Sequence, residues 1–391
     1  RLDGVTGVQT CALPIFLSPT RSCIMTSLSA LPIFSAPDIA HATGGATHGT
    51  WQTSVIRFDT RIIKPGDVFI ALKSSDYPRL RGNANADGHN YIGSAFKNGA
   101  VGAIVEKVPS EFASNDPRFV VVKSTYQALI DLGITARTHM NGPVIGITGS
   151  VGKTSTREMM ARVLTNFGKT HSSDENYNNI QGVPYTLANA PLNTDYAVVE
   201  MGMDCPGELT PLTKMVRPTI AMITTIAPAH MANFDNGIDG IADAKSEIFL
   251  GLVPGGTAII HRDMSTFARV LGNARTAGVT NILTFGEHAE ADARMINCVE
   301  ARNGTKVTAR IIDEDIIFNI PAGKHQAMNA LAVLLAIKTM GLSVATAAQK
   351  LAEFTAVEGR GREEYLNIGD PNNPVVLIDE SYNASPAAMN A

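Results

Sequence analysis

The chain has 391 residues, of which 45% are hydrophobic and 17% charged, so it is long enough for two or three domains that each bury a core. Its formal net charge is −4, with acidic and basic residues mixed along the chain, and this balance argues against a nucleic-acid or membrane-surface partner. The four cysteines are far apart and no apolar run is long enough to cross a bilayer, so we expect no disulfide framework and a cytoplasmic location.

The first part of the chain does not have the pattern of a folded domain. The pentapeptide A-L-P-I-F occurs twice, at residues 12–16 and 30–34, and the stretch has no helix or strand period. It also lacks the cationic start and single apolar block of a secretory signal. We therefore expect residues 1–34 to be a non-native leader that resembles translated adapter sequence, with Met25 as a candidate natural start.

Residues 35–141 predict a small mixed α/β domain. Ser35 is placed to cap a helix over residues 36–43, and the pair Gly44-Gly45 is placed to end it. The remaining helices and strands of this domain are expected at residues 54–58, 68–72, 91–98, 102–106, 119–122 and 125–139.

Residues 142–356 follow a linker at residues 141–143 and alternate strands with helices, as a doubly wound, mostly parallel sheet requires. The strands are continuous apolar runs, which is typical of strands buried on both faces. Residues 306–320 predict an antiparallel hairpin added to that sheet. The parallel strands are expected at residues 144–147, 196–200, 219–226, 257–261 and 281–285, and the last two helices at residues 325–340 and 344–354.

A third domain is expected to begin at residue 357 with a linker rich in glycine and arginine. One strand is expected over residues 375–378, and the sequence ends soon afterwards at Ala391. A domain typically needs about 100 residues. We therefore expect residues 357–391 to be the start of a truncated Rossmann-like ligase domain.

A glycine-rich segment follows the first strand of the central domain. Residues 148–154 read T-G-S-V-G-K-T and lead into a helical pattern, a context in which backbone N–H groups and the helix N-terminus bind phosphate. Lys153 is then expected to bind the β- and γ-phosphates, and the Thr154 hydroxyl to bind Mg²⁺. The strict pattern G-x-x-x-x-G-K-[ST] would need glycine at Ile147, and this chain has it at Gly149. The predicted nucleotide-binding residues of this segment are Thr148, Gly149, Ser150, Gly152, Lys153 and Thr154.

Charged and imidazole side chains follow the ends of the next strands, where open parallel sheets bind ligands. Glu200 lies in V-V-E-M-G, His230 ends I-A-P-A-H, and Lys245 lies in A-K-S-E-I-F. Because Mg²⁺ prefers oxygen ligands, Glu200 and Thr154 are its natural candidates. Each residue alone could be structural. Together, after a phosphate loop, they predict a nucleotide-dependent active site.

These motifs, in this order, resemble the Mur ligase family of ATP-dependent, amide-forming enzymes of peptidoglycan precursor synthesis. The resemblance covers residues 35–391. Residues 176–184 and 379–386 are similar to the N-x-N-N-x-x-G-x-P segment and the D-D-x-Y-N-A-N-P turn of the member that adds D-alanyl-D-alanine to UDP-N-acetylmuramoyl-tripeptide. The resemblance implies that these are the substrates, and that the reaction passes through an acyl phosphate.

The resemblance also implies roles for the catalytic residues. Lys153 would hold the β- and γ-phosphates, Thr154 and Glu200 would ligate one Mg²⁺, and His230 would ligate a second. Lys245 stands at a position that is carbamoylated in the family. A neutral lysine that has added CO₂ becomes a carboxylate-like ligand, which a lysine cation could not be. We therefore expect ATP, Mg²⁺ and a carbamate on Lys245.

Further contacts are implied with the nucleotide and with the UDP-linked substrate. Residues 323–329 resemble the adenine-side motif G-x-H-x-x-x-N, which puts His325 and Asn329 on one helix face. Arg362 would contact a phosphate, and Asp379 would contact the ribose. The residues expected to bind the UDP-linked substrate are Thr60, Arg61, Asp87, His89, Asn178 and Asn179.

Three alternatives use the same nucleotide site. One is a Mur-type ligase that adds a single amino acid, and another is a P-loop kinase that phosphorylates a small hydroxyl substrate. The third is a binding module that binds the UDP-linked substrate but turns over poorly, because the missing part of the third domain would close over ATP. Lys245 and the G-x-H-x-x-x-N segment favour the ligase, since a kinase needs neither. We expect a monomer that acts on small molecules, without nucleic acid and without membrane insertion.

Overall fold

The computed structural model describes residues 33–76, 86–174, 177–228, 233–301, 304–355, 362–366 and 375–379. The leader expected over residues 1–34 lies outside these ranges except for its last two residues. Ile33 and Phe34 are 8% and 3% exposed and pack in a hydrophobic core, so these two residues belong to the folded part of the chain. In the described ranges, every helix is too short or too polar to traverse a lipid bilayer.

The N-terminal region begins with the predicted helix. The Ser35 hydroxyl accepts a hydrogen bond from the Asp38 N–H, the Asp38 carboxylate accepts one from the Ser35 N–H, and Gly44 ends the helix at φ 62°. The elements of this region are β1 (Phe34–Ser35), α1 (Ala36–Thr43), β2 (Ala46–Thr47), β3 (Gln52–Thr53), β4 (Ile56–Arg57), β5 (Val68–Ile70), α2 (Ile92–Lys97), β6 (Gly102–Val105), β7 (Phe119–Val121) and α3 (Thr125–Thr138).

Five of these strands form one sheet in the order β2-β7-β6-β5-β4, and only the β2/β7 pair is antiparallel. Alternate residues of β5 face opposite sides, as strand geometry requires. Ile70 packs with α1 and α3, and Phe69 packs on the other face near Ile92 of α2. The predicted mixed α/β region is therefore present, although its strands are two to four residues long and shorter than expected.

The central region is a nine-stranded sheet in the order β16-β15-β14-β13-β12-β11-β8-β10-β9. Strands β8 to β13 are all parallel to their neighbours, and buried helices cover both faces, so the doubly wound fold is confirmed. Its elements are β8 (Val144–Thr148), α4 (Lys153–Leu164), β9 (Thr170–Ser172), α5 (Gly182–Ala188), β10 (Tyr196–Glu200), α6 (Leu209–Val216), β11 (Ile220–Ile223), α7 (Gly237–Ser246), β12 (Thr257–His261), α8 (Phe267–Thr276), β13 (Asn281–Gly286), β14 (Ala293–Ala301), β15 (Gly304–Ile311), β16 (Glu314–Ile320), α9 (Lys324–Thr339) and α10 (Val344–Leu351).

Two strands of this sheet were not predicted. Strand β9 is a short polar edge strand, and β14 buries only some of its alternate residues, so neither has the apolar run of the inner strands. The expected hairpin over residues 306–320 is in fact the second and third strand of a three-stranded antiparallel extension that β14 begins. Strand β14 joins this extension to the parallel strand β13.

Beyond the central region, the structure describes an antiparallel pair of strands, β17 (Arg362–Leu366) and β18 (Val375–Asp379). The second strand was predicted over residues 375–378. The first was not, because it begins in the segment that was interpreted as a linker rich in glycine and arginine. Arg362 and Asp379 are opposite each other in the register of this pair.

Helix α5 connects the N-terminal and central regions. Tyr185 and Ala188 pack in the hydrophobic cluster of α1 and α3. The Ile56 N–H donates to Asn189 Oδ1 at 2.8 Å, and the Asn189 amide donates back to the Ile56 carbonyl at 3.2 Å. Gly133 of α3 lies so close to α5 that a Cβ there would be 2.9 Å from the Pro184 carbonyl oxygen. These contacts fix the N-terminal region against the central region.

Candidate active site

The phosphate loop connects β8 to α4, as predicted. Gly149 has φ 153°, and a Cβ there would be 2.0 Å from the Thr224 hydroxyl oxygen, so only glycine fits at this position. Gly152 caps α4 at φ 88°. Ile147, which stands where the strict motif has glycine, is a fully buried residue of β8, so the turn begins two residues later.

Hydrogen bonds hold the loop against Thr224 and Thr225, which follow the neighbouring strand β11. The Ser150 N–H donates to the Thr225 carbonyl at 2.7 Å, and the Thr224 hydroxyl donates to the Val151 carbonyl at 2.6 Å. The Lys153 ammonium lies over the loop and donates to the Gly149 carbonyl at 2.9 Å. A positive group and a helix N-terminus thus meet in one turn, which is the arrangement that binds phosphate.

Glu200 ends β10 beside this loop and is 1% exposed. Its two carboxylate oxygens accept hydrogen bonds from the Thr154 hydroxyl at 2.9 Å and from the Asn178 amide at 2.8 Å. The structure therefore brings together three residues that the sequence singled out from three separate segments. Asn179, in contrast, accepts from the backbone N–H groups of Gln181 and Gly182, in the turn that leads into α5.

The donor set around Glu200 suits magnesium. A buried carboxylate and a threonine hydroxyl are oxygen ligands, and Mg²⁺ is usually bound by one or two carboxylates together with substrate phosphates and water. Across the described residues, no three His, Cys, Asp or Glu side chains converge to form a metal site. Glu200 and Thr154 could thus hold Mg²⁺ only together with a phosphate ligand on the loop.

Lys245 lies in α7 and is 4% exposed. Burial lowers the pKa of its ammonium well below the ordinary value of 10.5, the charge of Lys153 lowers it further, and Asp204 opposes the shift. The electrostatic effect of Lys153 indicates that the Lys245 amine lies near the phosphate loop. The lowered pKa favours the neutral, nucleophilic form of the amine relative to an exposed lysine.

The predicted adenine-side pair is divided between two environments. Asn329 of α9 is buried, and its amide lies against Gly152, because a Cβ on that glycine would be 2.8 Å from Asn329 Oδ1. His325 is exposed at the start of the same helix. Between them, the Gln326 amide donates to the Ser155 hydroxyl at 3.2 Å and ties α9 to α4.

In the N-terminal region, Thr60 and Arg61 lie in a short 3-10 turn that Asp59 caps. The Arg61 side chain is 86% exposed and pairs with Asp59 at 2.6 Å. Asp87 and His89 lie in a second turn of the same kind. Residues 77–85, which lie along the chain between these two turns, are outside the described ranges.

Both ring nitrogens of His89 make hydrogen bonds to other residues of the fold. Its Nε2 accepts from the Glu106 N–H at 2.9 Å, so the other ring nitrogen, Nδ1, carries the proton and donates to the Asp87 carboxylate at 2.6 Å. Burial raises the pKa of Asp87, but the hydrogen bonds that its carboxylate accepts from the His89 backbone and ring outweigh that effect, so the pKa is lowered. Lys73 pairs with Glu106 beside this turn.

Three predicted site residues are described only in part or not at all. His230 lies outside the described residues. Arg362 is described as a backbone position in β17, opposite Asp379, whose side chain is partly exposed.

The sequence interpretation missed two residues that hold Glu200. Arg157 of α4 is 2% exposed, and its Nε lies 3.5 Å from Glu200 Oε2. Ser173 follows β9, and its hydroxyl accepts from the Glu200 N–H at 3.2 Å. The signal for Arg157 is a charged residue on the apolar face of α4, between the buried Thr156 and Met159. No comparable signal exists for Ser173, because it follows a strand that was not predicted.

Comparisons with known proteins agree with this geometry. The sequence matches the family description "Mur ligase middle domain" over residues 147–337. It is 32% identical over 361 residues to the UDP-N-acetylmuramoyl-tripeptide–D-alanyl-D-alanine ligase of Rickettsia prowazekii, with 92% of this chain and 76% of that protein covered. The chain therefore spans about three quarters of the length of that relative.

Two solved structures are similar over most of the chain. The UDP-N-acetylmuramoylalanyl-D-glutamyl-2,6-diaminopimelate–D-alanyl-D-alanyl ligase of Acinetobacter baumannii is 29% identical, with a TM-score of 0.79 and coverage of 94% of this chain and 77% of that one. A MurF ligase of Thermotoga maritima in complex with ADP is 25% identical, with a TM-score of 0.70 and coverage of 86% and 73%.

Proposed function

This chain belongs to the Mur ligase family, and from that premise we propose that it joins D-alanyl-D-alanine to UDP-N-acetylmuramoyl-tripeptide with hydrolysis of ATP. The new bond is an amide, formed between the terminal carboxyl of the tripeptide and the amine of the dipeptide. The enzyme is thus a carbon–nitrogen ligase of peptidoglycan precursor synthesis. Its substrates are small molecules of the cytoplasm, which supports the expected location.

The observation that carries this proposal is the buried carboxylate of Glu200 between Thr154 and Asn178. Thr154 belongs to the phosphate loop, and Asn178 belongs to the segment that resembles the D-alanyl-D-alanine-adding member. One carboxylate therefore connects the nucleotide side of the site with the acceptor side. A phosphotransferase would need the first contact and has no evident use for the second.

The residues of the loop would bind ATP and its metal. Lys153 would turn from the Gly149 carbonyl to the β- and γ-phosphates, and the loop N–H groups would hold the same phosphates. Glu200 and Thr154 would hold Mg²⁺, which neutralises charge on the transferring phosphoryl group when bound. Asn329, which lies against Gly152, would then be the member of the adenine-side pair nearest the phosphates. His325, Arg362 and Asp379 would complete the nucleotide contacts, and His230 would ligate a second metal.

Lys245 is proposed to carry a carbamate. Its burial favours the neutral amine, which is the form that adds CO₂, and the product is an anion with two oxygens. That anion would be stabilised by Lys153, the same charge that disfavours an ammonium group here. The carbamate thus places an anion beside Lys153, where a lysine cation would be repelled.

The chain has little covalent chemistry to perform in this reaction. The tripeptide carboxylate takes the γ-phosphoryl group of ATP, and the amine of the dipeptide then displaces phosphate to form the amide. Positioning and charge neutralisation supply most of the rate, so the contribution of Lys153 and of the loop is to hold phosphate oxygens in line. Thr60, Arg61 and the turn of Asp87 and His89 would bind the UDP end of the acceptor.

Phosphate release by the purified whole gene product tests the proposal. We expect release only when ATP, UDP-N-acetylmuramoyl-tripeptide and D-alanyl-D-alanine are all present. Release with a single amino acid in place of the dipeptide would assign the chain to another Mur-type activity. Phosphate transferred to the acceptor, with none free in solution, would identify a kinase. Binding of both nucleotides without turnover would identify a binding module.

A further inference from the structure

A polar cavity of about 340 Å³ lies between the N-terminal region and the central region. It is lined on one side by Arg57 of β4 and on the other by residues of β9, of α5 and of the segment that follows β9. The volume is at the lower end of the range of ligand sites, so it suits one amino-acid-sized group rather than a nucleotide. The side chains that matter below are Arg57, His171, Asp174, Tyr177, Tyr185 and Thr186.

The walls of this interdomain cavity are fixed by the fold. Arg57 donates to the Tyr185 hydroxyl at 3.2 Å and pairs with Asp67 at 3.3 Å. The rings of Tyr177 and Tyr185 are 5.0 Å apart and both contact Phe58. The cavity is therefore preformed where the two regions are joined, and binding there costs little reorganisation.

The hydrogen-bonding groups in the cavity are incompletely used. Thr186 is 3% exposed, and its hydroxyl oxygen is buried without a hydrogen-bond partner among the described residues. The Nη2 nitrogen of Arg57 makes no hydrogen bond to any residue that the structure describes. Of these two groups the Thr186 hydroxyl is the buried one, since the Arg57 side chain is 22% exposed. A buried polar group without a partner is costly, so it is usually satisfied by water or by a ligand.

His171 adds an acceptor to this set. Its Nε2 lies 2.7 Å from the Thr186 carbonyl, which can only accept, so the proton is on Nε2 and Nδ1 keeps its lone pair. Burial lowers the pKa of His171 and keeps the ring neutral. Asp174, an exposed carboxylate, lies at the same cavity. The cavity thus offers a cationic donor, a hydroxyl, a neutral acceptor and an anion.

The cavity adjoins the residues that hold Glu200. Asp174 follows Ser173, whose hydroxyl accepts from the Glu200 N–H. Tyr177 precedes Asn178, whose amide donates to the Glu200 carboxylate. In the reaction proposed above, the carboxyl group of the third peptide residue must lie at this end of the site. The side chain of that residue starts from the same carbon atom and is therefore within reach of the cavity.

We propose that the interdomain cavity binds the free end of the third residue of the acceptor peptide, and that this end carries a carboxylate as well as an ammonium group. Arg57 and Thr186 bind the carboxylate, and Asp174 binds the ammonium group. A 2,6-diaminopimelate residue has both groups, whereas a lysine residue has only the ammonium group and would leave Arg57 and Thr186 unpaired. The inference rests on the proposed function and makes Arg57, Thr186 and Asp174 specificity-determining residues.

The inference is tested by measuring the affinities of three UDP-linked peptides for the protein by titration calorimetry. The peptides are two tripeptides that end in 2,6-diaminopimelate or lysine and the dipeptide that lacks the third residue. We expect the wild-type protein to bind the diaminopimelate tripeptide about tenfold to a hundredfold more tightly than the lysine tripeptide, as one charge-assisted hydrogen-bonded contact provides. Equal affinity for the two tripeptides would overturn the inference and leave the proposed function intact. Failure to bind any of the three would instead count against the proposed function.

Single substitutions test whether the preference for the diaminopimelate tripeptide arises in the interdomain cavity. Arg57→Met should abolish the preference for the diaminopimelate tripeptide and leave dipeptide binding within about twofold, whereas Arg310→Met, an exposed arginine of β15, should change neither. Because Arg57→Met also leaves Asp67 unpaired, Thr186→Val is the sharper variant. It removes only the unpartnered hydroxyl at nearly constant volume, so thermal stability should be unchanged or higher while the preference falls. Equal weakening of all three peptides by Thr186→Val or Arg57→Met would overturn the inference.

Discussion

At the carboxyl edge of the central sheet, Glu200 is 1% exposed and is held by groups from three segments, whereas Arg61 of the N-terminal region is 86% exposed and pairs only with Asp59 two residues away. Glu200 is expected to bind Mg²⁺, and Arg61 is expected to bind the UDP-linked substrate. The first is positioned by packing before any substrate arrives, and the second is free to change its partner when a substrate binds. Substitutions should therefore affect turnover and folding together at the sheet edge, and only affinity in the N-terminal region.

Glu200→Gln should have the largest effect. The variant lacks the anion that faces Arg157 and a proposed metal, and its amide would oppose the Asn178 amide. We expect phosphate release to fall by about a thousandfold and stability to fall by about 1–3 kcal/mol. Activity above a tenth of wild type would contradict the role of Glu200. Glu290→Gln is the matched control, because the Glu290 side chain is 74% exposed and far along the chain from the loop.

Lys245→Met separates function from stability at the same edge. We expect turnover to fall at least a hundredfold, because no carbamate can form, and the melting temperature of the protein in CO₂-free, metal-free buffer to rise. The rise follows from burial, which penalises the lysine cation and not the thioether. A variant that is both inactive and less stable than wild type would show that the lysine has a packing role instead.

The pH dependence of that stability difference has a definite sign. The pKa of Lys245 is lower in the folded protein than in the unfolded chain, so between the two values the unfolded chain binds more protons and wild-type stability rises with pH. The methionine variant has no such group. Its advantage should thus decrease as pH rises from 7 and disappear as pH approaches 10.5, the ordinary value for lysine. Thermal unfolding of both proteins from pH 7 to pH 10 measures this difference.

Gly149→Ala tests whether the loop itself must keep its shape. A Cβ would be 2.0 Å from the Thr224 hydroxyl oxygen, and φ is 153°, so both contact and backbone oppose the substitution. We expect nucleotide affinity to fall about tenfold or more, with a loss of stability of about 1–3 kcal/mol. Gly272→Ala is the control, since nothing lies within 4 Å of its Cβ and it is inside α8, where alanine should stabilise by about 0.5–1 kcal/mol. Unchanged ADP binding by Gly149→Ala would contradict this account of the loop.

The difference between buried and exposed parts of the molecule also explains which elements could be predicted from the sequence. The phosphate loop and the inner strands were predicted correctly because strand, glycine turn and helix are consecutive, and fully buried strands have unbroken apolar runs. Strands β9 and β14 were missed because they lie toward the edges of that sheet and are partly polar. The local sequence pattern of a strand does not show whether a distant segment of the chain covers and buries it.

Residue roles differ in the same way. The pairing of Thr154 with Glu200 follows from the motif, since Glu200 ends β10 and the loop that leads to Thr154 follows the carboxyl end of the neighbouring strand β8. The contact of Arg157 with Glu200 depends on which face of α4 meets β10, and the tie of His89 to the Glu106 N–H spans 17 residues. His89 stays a predicted substrate contact, and its turn motif did not show that Asp87 and the Glu106 N–H engage both of its ring nitrogens.

Arg61→Ala should have the smallest effect on the folded protein and the most selective effect on function. The side chain is exposed and its pair with Asp59 is local, so the melting temperature should be unchanged within error. If the guanidinium leaves Asp59 to bind the UDP-linked acceptor, the KM for that acceptor should rise about tenfold while the KM for ATP and kcat stay the same. Arg310→Ala, also exposed and paired with one aspartate, should change none of these values. A fall in kcat would mean that the N-terminal turn acts on the reacting groups, and the distinction between a preformed sheet edge and an adaptable N-terminal contact would no longer hold.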